Sequence, residues 1–483
     1  MGKIKFGTDG WRAIMAEDFT FANVRIVAQA IADYVLRHHG QGKEVVIGYD
    51  NRFFSDRFAV AVAEVLTANG IPVLVPERAT PTPVTAYAIK MYGAVGAVMI
   101  TASHNPPEYN GIKFIPEYAG PALPHITQEI EACVREYEEG KKPVKRIASE
   151  EAREKGLWRS IDPKEGYWEH LRQVVDVEQI RKANLNIIVD PLYGTGMEYL
   201  DGFLRAAGCQ VKAIHNCRDP LFGGAMPDPT EKVLGELRQL LKEEGADLGL
   251  AMDGDADRFG IVDRDGTCLT PNQVLAILYH HLITYRGWRG PVARTVATTH
   301  LLDRIARHHN LEVIETPVGF KYIGQAMMER GAILGGEESG GLSIKGHIPE
   351  KDGILATLLI AETVAVHKKS LQEILADLCA EYGFLTSRRL DVHCTQQVKE
   401  RVLAELRNFS PAEIGGKKVA VELDIDGKKF ICEDGSWVLI RPSGTEPLFR
   451  IYAEGGSKDD VAALQEDLCR ALDLEIPASW TCP

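Results

Sequence analysis

Thr101-Ala102-Ser103-His104-Asn105-Pro106-Pro107, running on to Asn110-Gly111-Ile112-Lys113, crowds a hydroxyl, an imidazole, a carboxamide and an ammonium onto one stretch. The apolar run Ala97-Val98-Met99-Ile100 before it reads as a buried strand that ends in a turn. Two consecutive prolines stop helix or ladder from continuing, so a shaped loop is expected. A serine beside groups that move protons and neutralise oxyanions suits a covalent nucleophile. A polar turn with Ser103 as a local cap is the plainer alternative.

Three further stretches carry chemistry. Asp253-Gly254-Asp255-Ala256-Asp257-Arg258 follows the apolar strand Leu248 to Met252, which puts it at the C-terminal edge of a sheet, where α/β proteins bind ligands. Carboxylates on alternate residues repel one another unless a cation lies among them. All-oxygen ligands, few in number, suit Mg²⁺ with room for a phosphate oxygen. The spacing is not that of an EF-hand, and a solvated acidic turn is the alternative. Gly335-Gly336-Glu337-Glu338-Ser339-Gly340-Gly341 follows Ala332-Ile333-Leu334 and offers an acceptor in Glu337 and a donor in Ser339 to a polyol. A plain glycine-rich turn reads the same way. Gly319-Phe320-Lys321 and His347-Ile348-Pro349-Glu350-Lys351-Asp352-Gly353 place further cations on loops. Last, Arg441-Pro442-Ser443-Gly444-Thr445-Glu446-Pro447 combines a guanidinium, hydroxyls and glycine-exposed amides, the makings of a phosphate nest. No Gly-Lys-Ser/Thr opens a helix, so it is not a Walker loop.

A nucleophilic serine with a Mg²⁺ site points to phosphoryl rather than acyl transfer, because the metal would neutralise phosphoryl oxygens. A second phosphate site implies a substrate that carries phosphate at one end and reacts at the other.

The elements that must position these loops repeat. Val45 to Asp50, a helix from about Asp56 to Asn69, Gly70 and Ile71 to Val75 form one strand, helix, strand unit. Leu185 to Asp190, a helix around Tyr199 to Ala207, Gly208 and Gln210 to Ile214 form a second. Pro291 to Val296, a helix around Leu301 to His309, Asn310 and Leu311 to Ile314 form a third. Gly or Asn at each helix C-terminus is what capping expects. The reading is three tandem related α/β domains. The last hundred residues, with short strands, Asp-Gly turns and a helix from about Lys458 to Leu472, read as a smaller C-terminal α+β domain with an antiparallel sheet. The expected divisions are 1–150, 151–266, 267–383 and 384–483, with Glu138 to Pro143 and Ser149 to Lys155 closing the first domain and the Asp263 to Gly266 turn near the second boundary.

With 483 residues the chain is too long for one core. Its net charge of -13 argues against nucleic acid or an anionic membrane surface as partner. Nine cysteines without a CxxC pair disfavour disulfide frameworks and zinc ribbons. The N-terminus has no apolar leader and no stretch is long enough to span a bilayer, so a cytoplasmic protein is expected. Three His-His pairs, beginning at His38, His280 and His308, lie on or near helices without a partner motif and read as surface or helix-end histidines.

The four loops, in this order, resemble the α-D-phosphohexomutase family through its signatures TASHNP, DGDxDR, GExSG and RxSGTEP. Phe6-Gly7-Thr8-Asp9-Gly10-Trp11-Arg12 matches its opening FGTDGxR. The resemblance covers essentially the whole chain. It implies four domains around a central cleft, Ser103 as the phosphoserine, and Mg²⁺ held by that phosphate with Asp253, Asp255 and Asp257. His104 and Lys113 match acid/base or charge-stabilising positions, and Arg12 and Arg258 match cations near the transferred group. By the same resemblance Lys321, Glu337 and Ser339 would hold the sugar, and Arg441, Ser443, Gly444 and Thr445 the non-reacting phosphate. Hexose phosphates would be interconverted through a hexose 1,6-bisphosphate (glucose 1,6-bisphosphate as activator), by a monomer or homodimer.

For the sugar, relatives acting on mannose or glucosamine phosphates often carry His after Ser-Gly, where this chain has Gly341. The GFK and HIPEKDG segments look more like the GWK and HIREKDG of glucose-phosphate members. Glucose is therefore expected first, with phosphomannomutase or phosphoglucosamine mutase as alternatives and a non-catalytic sugar-phosphate sensor behind them.

Overall fold

The computed structural model describes residues 4–7, 9–444 and 447–476. Apolar, β-branched runs form the strands, and each of the first three sheets is built on the same four-strand pattern. In the first, Val45–Tyr49 pairs in parallel with Val73–Pro76 on one side and Gly96–Ile100 on the other, and Tyr109–Pro116 folds back antiparallel on Gly96–Ile100. In the second, Asn186–Asp190 pairs in parallel with Gln210–Ala213 and Leu248–Met252, and Phe259–Asp263 folds back on the last. In the third, Val292–Thr295 pairs with Val313–Thr316 and Leu334–Gly336, and Leu342–Ile344 folds back. The shared strand order supports a repeat rather than chance likeness among α/β units.

The fourth sheet is antiparallel throughout, six strands with Leu448–Gly455 between Thr386–His393 and Trp437–Pro442. Helix Lys458–Ala471 covers it and buries Val461, Leu464 and Leu468.

Two short strands lie at the outer edges of the first and second sheets. Trp158–Ile161 pairs in parallel with Val73–Pro76 as the sixth strand of the first sheet, past residue 150. The Asp263 to Gly266 turn leads into Cys268–Leu269, which pairs antiparallel with Phe259–Asp263 at the edge of the second sheet.

The domains hold each other through apolar contacts. The second and third share one core, with helix Gly353–His367 buried nearly all round, as its unbroken apolar sequence requires. His281, expected at a surface or helix end, is instead wholly buried against that helix, its Nε2 2.9 Å from Glu362 Oε1. Trp437 and Leu439 of the fourth domain pack on Val296 and Ala297 of the third. Lys429 crosses the same seam, its ammonium bonding Val296 O, His300 Nε2 and Glu315 Oε1 at 2.8–3.0 Å. Among the described residues no helix is long and apolar enough to cross a membrane.

Candidate active site

Each of the four motif loops joins two strands that are antiparallel neighbours in their sheet, and the first three hold the same place in the shared pattern. Ser103 lies between Gly96–Ile100 and Tyr109–Pro116, and Asp253 to Asp257 between Leu248–Met252 and Phe259–Asp263. Glu337 to Gly341 lies between Leu334–Gly336 and Leu342–Ile344, and Ser443 with Gly444 between Trp437–Pro442 and Leu448–Gly455.

Ser103 is buried and has φ 51°, a left-handed conformation that costs a non-glycine residue about 1–2 kcal/mol. Its amide donates to Thr101 Oγ1 at 2.8 Å. Its hydroxyl donates to Asp253 Oδ2 at 2.8 Å and lies 3.2 Å from His104 Nδ1. The strained turn is held by Arg52, wholly buried, whose guanidinium donates to four carbonyls: Ser103 and Asn105 at 2.6 Å, Pro106 at 2.7 Å and Tyr109 at 3.1 Å. Asp50 pairs with Arg52 Nε at 3.2 Å and so offsets the cost of burying that charge.

Asp253, Asp255 and Asp257 are all buried, and one oxygen of each lies within 4.8 Å of the others'. The loop is gripped from both sides. Thr82 of the first domain donates through N–H to Asp255 O at 2.9 Å and through Oγ1 to Asp255 Oδ2 at 2.7 Å. Gly353 N of the third domain donates to Ala256 O at 3.1 Å. Gly254 lets the loop meet the serine: a Cβ there would fall 2.8 Å from Ser103 O.

Two oxygens, Asp255 Oδ1 and Asp257 Oδ1, are buried without a hydrogen-bond partner. Unpaired buried carboxylate oxygens are costly, and three carboxylates with a serine oxygen beside them fit a small hard dication. Burial and the neighbouring Asp255 and Asp257 charges push the Asp253 carboxyl well up. Burial opposes the charge of Asp255 too, but Lys113, the Thr82 hydroxyl and Arg12 outweigh it and hold that carboxyl below the usual range.

Lys113 Nζ sits 2.9 Å from Asp9 Oδ2, 3.1 Å from Asp255 Oδ2 and 3.3 Å from Asp257 Oδ2. Lys351 Nζ joins the same cage at 3.4 Å from Asp9 Oδ2, 3.3 Å from Asp257 Oδ2 and 3.1 Å from Glu350 Oε1. Burial disfavours both ammonium charges, yet the surrounding carboxylates outweigh it and raise both above the ordinary lysine value. His104 moves the other way: burial, then Arg258 and Arg12, push it well below its usual value, so its imidazole is neutral at pH 7. Arg12 Nη1 donates to Asn105 Oδ1 at 2.8 Å. Arg258 donates its amide to Asp253 Oδ1 at 3.0 Å, while its Nε is buried without a hydrogen-bond partner.

In the third loop Glu337 Oε1 accepts the Gly319 amide at 2.8 Å, at the start of helix Phe320–Arg330. Burial, with the Glu338 charge next to it, pushes the Glu337 carboxyl up to about 7. Glu338 turns away to accept from Thr295 and Thr298 at 3.0 and 3.2 Å. Ser339 and Lys321 are half-buried, and burial lowers the Lys321 ammonium. In the fourth loop Arg441 Nε donates to Asp426 Oδ2 at 2.7 Å, Ser443 N to Leu448 O at 2.9 Å, and Gly444 is exposed. Thr445 lies outside the described residues.

The structure brings Ser103, Lys113 and the three aspartates into one buried cluster, with the half-buried His104 against Ser103. Residue-by-residue reading did not find the parts of Arg52, Asp9, Thr82, Glu350 and Lys351. Asp50-Asn51-Arg52 had a signal available, since it follows a parallel strand at the same edge as the other motifs.

Comparison with known proteins gives a consistent result. Residues 3–141, 165–266 and 270–382 match alpha/beta/alpha domains I, II and III of phosphoglucomutase/phosphomannomutase, and 396–471 its C-terminal domain. A phosphoglucomutase/phosphomannomutase of Thermococcus kodakarensis is 33% identical over 95% of this chain and 96% of its own. A protein of Pyrococcus abyssi named probable phosphoglucosamine mutase is 31% identical over 96% and 97%. A crystal structure from Thermus thermophilus, titled as a phosphomannomutase, superposes with TM-score 0.84 at 33% identity, over 98% of this chain and 99% of that one.

Proposed function

The chain belongs to the phosphoglucomutase/phosphomannomutase family, a phosphohexomutase by descent, and on that premise we propose that it interconverts glucose 1-phosphate and glucose 6-phosphate through phosphorylated Ser103. The observation that carries the reading is the buried meeting of Ser103 Oγ with Asp253 Oδ2 at 2.8 Å, inside a cage of two lysines and a neutral imidazole. A hydrolase needs water at such a serine, whereas a phosphate carrier needs it excluded.

In this mechanism phosphoserine gives its phosphoryl group to the free hydroxyl of the bound hexose phosphate, forming the 1,6-bisphosphate. The other phosphoryl group then returns to Ser103 Oγ, leaving the isomer. His104 Nδ1, neutral and 3.2 Å from Oγ, can take the serine proton as Oγ attacks phosphorus and return one when Oγ leaves. Lys113 and Lys351 keep positive charge where phosphoryl oxygens gather negative charge. Asp253, Asp255 and Asp257 would hold Mg²⁺, which when bound supplies Lewis-acid neutralisation of phosphoryl oxygens. Glu337, Ser339 and Lys321 would read the sugar, and Arg441 with the Ser443 and Gly444 backbone would hold the far phosphate. Glucose is favoured because Lys351, from the segment that resembles glucose-phosphate members, lies in the reacting cage beside Gly341.

The second reading, glucosamine phosphate as substrate, draws on the relative from Pyrococcus abyssi. Steady-state turnover of glucose 1-phosphate against mannose 1-phosphate and glucosamine 1-phosphate decides between them; preference for the amino sugar overturns the first. Intact-mass spectrometry tests the carrier. One phosphate per chain, exchanged by substrate, stable in buffer and absent in Ser103→Ala, is expected.

A further inference from the structure

The histidine pair at 308 and 309 does not end up as two isolated surface side chains. His308 is the last residue of helix Leu301–His308 and His309 its cap, and they meet Glu381 in the last turn of helix Leu371–Tyr382. One ligand atom of each lies within 4.8 Å of the others, with His308 Nε2 and Glu381 Oε1 at 3.5 Å. The Tyr382 hydroxyl bonds His309 Nε2 at 3.1 Å and His280 Nδ1 at 3.0 Å. A hydrogen bond to one ring nitrogen is how proteins fix an imidazole whose other nitrogen coordinates a metal.

We propose that His308, His309 and Glu381 form a site for one borderline divalent transition metal, typified by Zn²⁺, separate from the aspartate site. Two imidazoles and one carboxylate suit Zn²⁺ and its neighbours rather than Mg²⁺, which prefers oxygen alone. Ligand bonds of about 2.0–2.2 Å require the three donors to draw together. His308 and Glu381 are exposed and already paired, so the movement is one of surface side chains, while the half-buried His309 is held by Tyr382. Two neighbouring cations bond backbone carbonyls: Arg289 donates to His309 O at 2.9 Å and Arg304 to Tyr382 O at 3.3 Å.

The position gives the site a consequence. Tyr382 is followed by Gly383, with φ 85°, and then by strand Thr386–His393 of the fourth domain. A metal joining the ends of the two helices would fasten the segment from which that domain hangs.

The test uses the full-length enzyme with the aspartate site saturated by excess Mg²⁺, and Co²⁺ and Zn²⁺ as probes. One equivalent of Co²⁺ should give visible d–d bands that Zn²⁺ abolishes, and Zn²⁺ should raise the melting temperature. His308→Ala and Glu381→Gln should each weaken Co²⁺ binding by more than about tenfold, since losing even a group that only supports a ligand costs that much, with mutase activity in Mg²⁺ retained. Bands of equal strength in both variants, or no stoichiometric binding by the parent, would overturn the proposal. Neither readout depends on which sugar phosphate the enzyme turns over.

Discussion

Gly341 and Lys351 occupy one space. A Cβ on Gly341 would fall 2.5 Å from Lys351 Cδ and 2.7 Å from its Cγ, so the lysine stem lies where a side chain at 341 would begin. The ammonium at the end of that stem reaches Asp257 and Asp9. Glycine at 341 is thus a condition for the Lys351 stem to run through this space and carry its ammonium to the buried carboxylates.

Gly341→Ala should therefore act through Lys351. The expected loss in kcat is about 10²-fold, the scale for removing one oriented electrostatic contact. Lys351→Ala should lose a similar amount, and the double variant no more than the larger single loss. Additive losses in steady-state kinetics would show that the two residues act separately.

Arg52→Lys keeps the charge but cannot span four carbonyls. The Ser103 turn should loosen, with stability falling by about 3 kcal/mol for the lost charged hydrogen bonds and kcat by about 10²-fold for a misplaced nucleophile. Urea unfolding gives the first and turnover at saturating substrate the second. A large rise in KM with kcat unchanged would contradict a positioning role.

Arg441→Ala should chiefly weaken substrate binding. Loss of a charge-assisted phosphate contact predicts a KM raised by about 10²-fold with kcat largely kept. Reduced turnover at unchanged KM would place Arg441 elsewhere in the reaction.

Burial, with the Glu338 charge beside it, pushes the Glu337 carboxyl up to about 7. If the carboxylate accepts sugar hydroxyls, KM should rise as the pH falls through about 7, beyond the change due to the substrate phosphate itself. Glu337→Gln should have a raised KM that lacks this extra limb. Stability carries the opposite sign: the unfolded chain releases this proton near 4.5, so the folded state loses stability as the pH rises from there to about 7. The variant should be relatively more stable at pH 8, as thermal melts can show.

How much was readable from the chain depends on range. The strand runs, the glycine or Asn helix stops and the three-fold pattern are local signals, and the strands formed within a few residues of where the runs predicted. The four candidate loops stood out because each packs its polar side chains into a handful of neighbours. The sheet edges did not, since Trp158–Ile161 looks like linker until Val73–Pro76 offers it a partner.

The sequence by itself determined which side chains could do chemistry and that each would stand on a loop after a strand, because residue type and hydrophobic period act over short distances. Tertiary structure alone decided that Asp253 would meet Ser103 across 150 residues, that Arg52 would hold the serine turn, and that Lys351 would lie over Gly341. Those contacts arise from packing one domain's loop against another's. Buried charge then selects the partners, since a carboxylate or guanidinium removed from water is tolerated only where opposite charge or a carbonyl waits for it.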